Sequence, residues 1–142
     1  MPGRKKSSRS EPTLAQLRKQ AGAAYDAKRW DDVIRLYSRF LERKRGAVDG
    51  GVYFRLGCAH DEQGDYDKAI ECYQNAINTL GYKHPGIASC NMGVAYGGKG
   101  DHNKAIECFQ MAIDTPGYDD PGRAPGATWG LPMQKSVIMT RR

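Results

Sequence analysis

The chain has 142 residues, 39% of them hydrophobic and 27% charged, with a formal net charge of +6. That is enough for one modest core, and no stretch approaches the roughly 20 apolar residues that a membrane-spanning helix needs. The start MPGRKKSSRS lacks the apolar run of a secretory signal, Pro2 excludes N-myristoylation, and the final Met139-Thr140-Arg141-Arg142 carries no prenylation cysteine. A cytoplasmic protein without a bilayer anchor is therefore expected. The positive charge is local: residues 1–46 hold 13 Lys and Arg against 5 Asp and Glu, and the remainder holds 9 against 11.

In chain order, residues 1–12 (MPGRKKSSRSEP) show no apolar periodicity and are expected to form a disordered basic tail. Arg4-Lys5-Lys6 reads as solvated charge, with a nuclear import signal as the alternative. From Leu14 onward, apolar residues recur at i, i+3, i+4 and i+7, which predicts helices over 14–27, 31–44, 51–63, 67–80, 86–99 and 103–115. Asp31, Asp67 and Asn103 open the second helix of each pair, as caps or in the first turn, while Gly64 and Gly100 stand where a first helix must stop and turn. The expected array spans 13–118 as three helical hairpins, about 14–46, 50–82 and 86–118. Asp119-Asp120-Pro121-Gly122 then starts a fourth unit that breaks off in the Gly- and Pro-rich stretch 123–132, so 119–142 is expected to be an aborted repeat and an irregular tail. An array without a terminal capping helix exposes an apolar seam. That seam is open to cover by Trp129, Leu131, Met133, Val137, Ile138 and Met139, by a second copy, or by another protein; a longer parent array is a further alternative.

The hairpins are copies. Residues 64–82, GDYDKAIECYQNAINTLGY, match residues 100–118, GDHNKAIECFQMAIDTPGY, at 13 of 19 positions, an offset of 36. The same offset carries Gly57 onto Gly93 and Pro85-Gly86 onto Pro121-Gly122, and one step back it sets Trp30 over Tyr66 and Tyr37 over Tyr73. Small residues recur at Ala21, Gly57 and Gly93 on the first helices and at Ala69, Ala105, Ala76 and Ala112 on the second, with aromatic Tyr37, Tyr73 and Phe109 between them. Small residues let helices approach closely and aromatic rings fill the space left. Val33 and Phe40 replace two of the small residues in the first hairpin, which marks it as divergent or as an outer cap.

This pattern resembles the tetratricopeptide repeat over about residues 14–118. The 36-residue period and His84-Pro85 ahead of a first helix are also similar to a shortened kinesin-light-chain-type variant. The resemblance implies an all-α, right-handed superhelical array of three hairpins. It also implies a protein-protein interaction module, scaffold or adaptor, with a concave groove lined by the first helices. Carried over unit by unit, the peptide-binding groove includes Arg18, Lys19, Tyr25, Phe54, Arg55, Asp61 and Asn91. Of the family's carboxylate clamp only Arg18 is kept in kind, so a full clamp is not expected. Arg18, Lys19 and Arg55 are instead expected to cluster and to favour an acidic peptide. Phe54 beside Arg55 reads either as an exposed hot-spot aromatic or as a side chain packed between hairpins.

The four cysteines form no CxxC pair, so thiols without metal are expected. Cys72 and Cys108 read as small core residues, and Cys58 and Cys90 as groove positions on neighbouring first helices, with approach to each other or exposure to oxidants as the alternatives to a core role. No cofactor is implied and no enzyme is expected, because the glycines of GVAYGGKGD follow a helix rather than a strand and their Lys99-Gly100 order is wrong for a phosphate loop. Two alternatives stay open. A pentatricopeptide-like RNA binder has the same period, but the two regular units carry no excess positive charge to draw phosphate, which argues against nucleic acid. A homo-oligomer could form through the uncapped C-terminal hairpin.

Overall fold

A computed structural model describes residues 10–116, and the expectations for residues 1–9 and 117–142 lie outside the described residues. Six helices follow one another: α1 (Leu14–Asp26), α2 (Trp30–Arg43), α3 (Gly50–Glu62), α4 (Tyr66–Asn78), α5 (Pro85–Lys99) and α6 (His102–Asp114). There is no strand among the described residues. Each helix packs on its neighbours in sequence, and the first helices α3 and α5 also touch directly, as in a stack where each hairpin seats the next.

The second helices begin one residue earlier than the apolar pattern indicates, and different residues cap them. Asp65 and Asp101 are the N-caps, accepting from the backbone N–H of Lys68 at 3.4 Å and of Lys104 at 3.1 Å. Arg29, in the same position of the first hairpin, caps nothing with its side chain. Asp31 and Asp67 act between hairpins instead: Asp31 accepts from the side-chain amide of Gln63 at 2.6 Å and Asp67 from the ammonium of Lys99 at 2.5 Å. Both ties join the end of a first helix to the first turn of the second helix before it. The helix expected to run to residue 80 ends at Asn78; Thr79 is extended, its hydroxyl donates to the Asn75 carbonyl at 2.8 Å, and Leu80 is left 99% exposed.

The turns inside the hairpins share a left-handed residue in one register, Lys28 (φ 58°), Gly64 (φ 79°) and Gly100 (φ 91°). The first helix starts on a capping box in which the Thr13 hydroxyl accepts from Gln16 N–H at 3.0 Å and the Gln16 side chain accepts from Thr13 N–H at 2.7 Å. Just ahead of it, Glu11 is paired with Arg39 at 2.8 Å and the Pro12 carbonyl accepts from Arg43 at 2.7 Å, so these two residues of the expected tail are held against α2.

Ala21, Ala24, Ala69 and Ala76 are fully buried at the helix contacts, and Ala105 and Ala112 nearly so. Val33 and Phe40 are as deeply buried as the small residues they replace, so the first hairpin packs through larger side chains. Its outer face is polar: Gln16, Gln20 and Ala23 are exposed where the second hairpin, 36 residues on, buries Val52, Leu56 and Ala59. The first hairpin thus presents, on the side away from the second, a face less apolar than the one the second hairpin buries.

Candidate partner-binding groove

The first helices place the expected groove residues in two separate polar settings. On α1, Arg18 pairs with Asp49 at 2.5 Å, with both side chains about half exposed. Asp49 is at the same time the N-cap of α3, accepting from Gly51 N–H at 2.8 Å. That backbone bond first, and then the Arg18 guanidinium, hold its carboxyl below the usual carboxylate range against the opposing effect of burial. Lys19, the next residue on α1, is exposed.

On α3, Arg55 lies over the ring of Tyr25, 5.5 Å from its centre, and donates to the Tyr37 hydroxyl at 3.4 Å. The hydrogen bond to Tyr37 is the main cause of a raised guanidinium pKa, which burial opposes. No carboxylate forms an ion pair with Arg55 among the described residues; Asp26 acts on it only at longer range. Arg18 and Arg55 thus have different direct partners, while both lower the pKa of the Asp49 carboxyl through their charge. A carboxylate from the following linker takes Arg18, and two tyrosines hold Arg55.

Tyr25, itself half-buried, meets Trp30 edge-on with ring centres 5.7 Å apart, which fixes the platform under Arg55. Phe54 is half-buried with its ring centre 5.8 Å from that of Tyr73, and it packs on the cluster that joins the second and third hairpins through Tyr73, Met92 and Ala95. Asp61 accepts from the Tyr73 hydroxyl at 3.3 Å, and burial raises its carboxyl above the usual range despite that bond. Asn91 on α5 donates to the Cys58 sulfur at 3.8 Å, which bridges the second and third units across the groove.

Burial pushes the Cys58 thiol up, which disfavours a reactive thiolate at neutral pH. Cys72, Cys90 and Cys108 are buried, and no disulfide links the four. No three His, Cys, Asp or Glu side chains come together as a metal-binding set among the described residues.

The sequence reading passed over a cleft of about 340 Å³ between the two linkers that join hairpins, lined by Val48, Asp49, Leu80, Tyr82, Lys83 and His84 among others. Its wall is Tyr82, whose ring covers the point where a Cβ on Gly50 would stand, 2.6 Å from Cδ1. The recurrence of Gly50 as Gly86 and of Tyr82 as Tyr118 at the 36-residue offset was the available signal.

A family model described as tetratricopeptide repeat matches residues 50–115. Among solved structures, the chain is similar to MamA of AMB-1, with 20% identity and a TM-score of 0.67 over 75% of this chain and 56% of that one. It is also similar to the TPR2AB domain of yeast Sti1 in its complex with pHSP90, with 20% identity and a TM-score of 0.60 over 88% of this chain and 50% of that one. The chain thus spans about half the length of these two structures, and at this identity the likeness is one of fold. No curated protein matches the chain.

Proposed function

We propose that this chain, a tetratricopeptide repeat protein, is an interaction module of scaffold or adaptor type that holds an acidic peptide segment of a partner protein in the groove of its first helices. The observation that carries this reading is Arg55. Its guanidinium is oriented by the Tyr25 face and the Tyr37 hydroxyl and has no carboxylate ion-pair partner among the described residues. A cation held in place loses little freedom when a carboxylate docks on it, and a charge-assisted hydrogen bond to Arg is among the stronger polar contacts. Arg18 adds field but is already committed to Asp49. Lys19, Asp61 and Asn91 would border the bound segment. The complex of the yeast Sti1 domain with pHSP90 supports a protein partner for this fold.

Display of a random peptide library against the full chain tests the proposal. Asp- and Glu-containing peptides are expected to be enriched, to elute with rising salt, and to be lost on Arg55→Glu but retained on Arg35→Glu, a cation of α2. Enrichment of basic or purely apolar peptides, or identical selections from wild type and Arg55→Glu, would overturn it.

A further inference from the structure

The last hairpin presents a face that the chain's own repeat logic says must be covered. In the second unit, Cys58, Tyr66, Ile70 and Ile77 pack against the cluster formed with Met92 and Ala95 of the following helix. Their images 36 residues on are Val94, His102, Ile106 and Ile113. Of these, Val94 is 54% and Ile106 53% exposed, and Phe109 is half-buried where its image Tyr73 is 1% exposed. By that register, and by helical spacing along α6, Val94, Ile106, Phe109 and Ile113 stand on the end face of the last hairpin. The 36-residue register carries Ser89 and Tyr96 onto Pro125 and Pro132, so the amino-acid pattern of a first helix is not repeated there.

We infer that a second copy of this chain covers the end face, α6 against α6 in antiparallel, about a two-fold axis. Head-to-tail stacking is the other way to use a second copy, and the polar outer face of α1 opposes it. The residues that would enter the seam are Gln16, Gln20 and Ala23, in the places where inner units use Val52, Leu56 and Ala59. Gln16 Oε1 keeps the Thr13 N–H, but burial in an apolar seam strips water from the Gln16 amide nitrogen and from the Gln20 amide, which costs free energy. A face that cannot accept the opposite end of the molecule can still pair with itself, and a self-pairing closes as a dimer. The flank of α6 suits this. Helical spacing sets Asn103, Glu107, Gln110 and Asp114 along one side of the apolar stripe, all exposed. An antiparallel partner then runs the amides of Asn103 and Gln110 opposite the carboxylates of Asp114 and Glu107.

The inference does not depend on the groove reading, and the oligomeric state of the full chain tests it. Sedimentation from micromolar to hundreds of micromolar is expected to show a mass that rises to a plateau at twice the 15.7 kDa of the chain. Ile106→Glu and Val94→Glu alter side chains that are already half exposed, so helical circular dichroism should persist while the dimer dissociation constant rises about 100-fold or more. Asn75→Glu, at an exposed site on α4, should leave the dimer unchanged. A monomer at every concentration, whatever covers the face, would overturn the inference. So would a dimer insensitive to both variants, or a mass that climbs past the dimer without a plateau.

Discussion

The ring of Tyr73 occupies the space into which a Cβ on Gly57 would project, 2.8 Å from Cε1, and Phe109 stands in the same relation to Gly93, also at 2.8 Å. Tyr73 is 1% exposed and held by Asp61, so its ring has no room to withdraw. Gly57→Ala and Gly93→Ala should therefore destabilise by about 1–3 kcal/mol each through overpacking, although alanine is the better helix former. Urea unfolding of the full chain measures this, and an unchanged midpoint for Gly57→Ala would mean that the ring yields. The first hairpin accepts Ala21 in the same position opposite Tyr37.

Lys28 is the one non-glycine residue with positive φ among the described residues, in a turn where the other two hairpins use Gly64 and Gly100. A side chain in this region costs about 1 kcal/mol or more. Lys28→Gly should raise stability by roughly that amount in thermal or urea unfolding, whereas Gly64→Ala should lower it by a similar amount. A destabilised Lys28→Gly would show that the lysine makes a compensating contact.

Asp49 both caps α3 and pairs with Arg18. Loss of the cap in Asp49→Ala should cost about 1 kcal/mol. Arg18→Ala, which removes only a half-exposed ion pair, should cost about 0.5 kcal/mol or less. Because the folded state lowers the Asp49 pKa below 3.8, its contribution is present above that value and is lost as pH falls through the lowered one. A double-mutant cycle at pH 7 and in acid separates the cap from the pair: a coupling as large as the cap effect would contradict this division.

Burial raises several acids that are neutral at pH 7: the Cys72 thiol from 9.0 to about 12, the Tyr82 hydroxyl from 10.0 to about 12, and the Tyr25 and Tyr73 hydroxyls further still. Between pH 9 and 12 the unfolded chain releases these protons while the folded chain keeps them. Stability should therefore be level up to about pH 9 and fall as pH rises beyond it. Cys72→Ala should lower stability at neutral pH by opening a small cavity and make the alkaline decline shallower. Urea midpoints from pH 7 to 11 check both, and an equally steep decline without the thiol would remove Cys72 as a contributor.

The helix number, the hairpin pairing and the small-residue contacts were legible in the amino-acid order because they repeat. A position seen as Ala or Gly in three copies reports a close approach in each, and an apolar stripe of period 3.6 reports a helix with a buried side. Helix ends were read to within one or two residues, since Asp31 and Asp67 look like caps and act instead as ties to Gln63 and Lys99. Nothing local separates those roles, because both place a carboxylate in the first turn.

The state of each groove side chain was decided only in three dimensions. Arg18 and Arg55 are both basic residues on first helices, yet one meets Asp49, 31 residues away, and the other meets Tyr37, 18 residues away, and Tyr25. Leu80 inverts what its surroundings in sequence suggest, since an apolar residue expected within a helix stands in solvent, and of the two readings open for Phe54 the structure has the packed one, against Tyr73. Repetition determines the scaffold because every copy must solve the same packing problem. The surface chemistry is free to differ between copies, and it depends on contacts across units that no single helix contains.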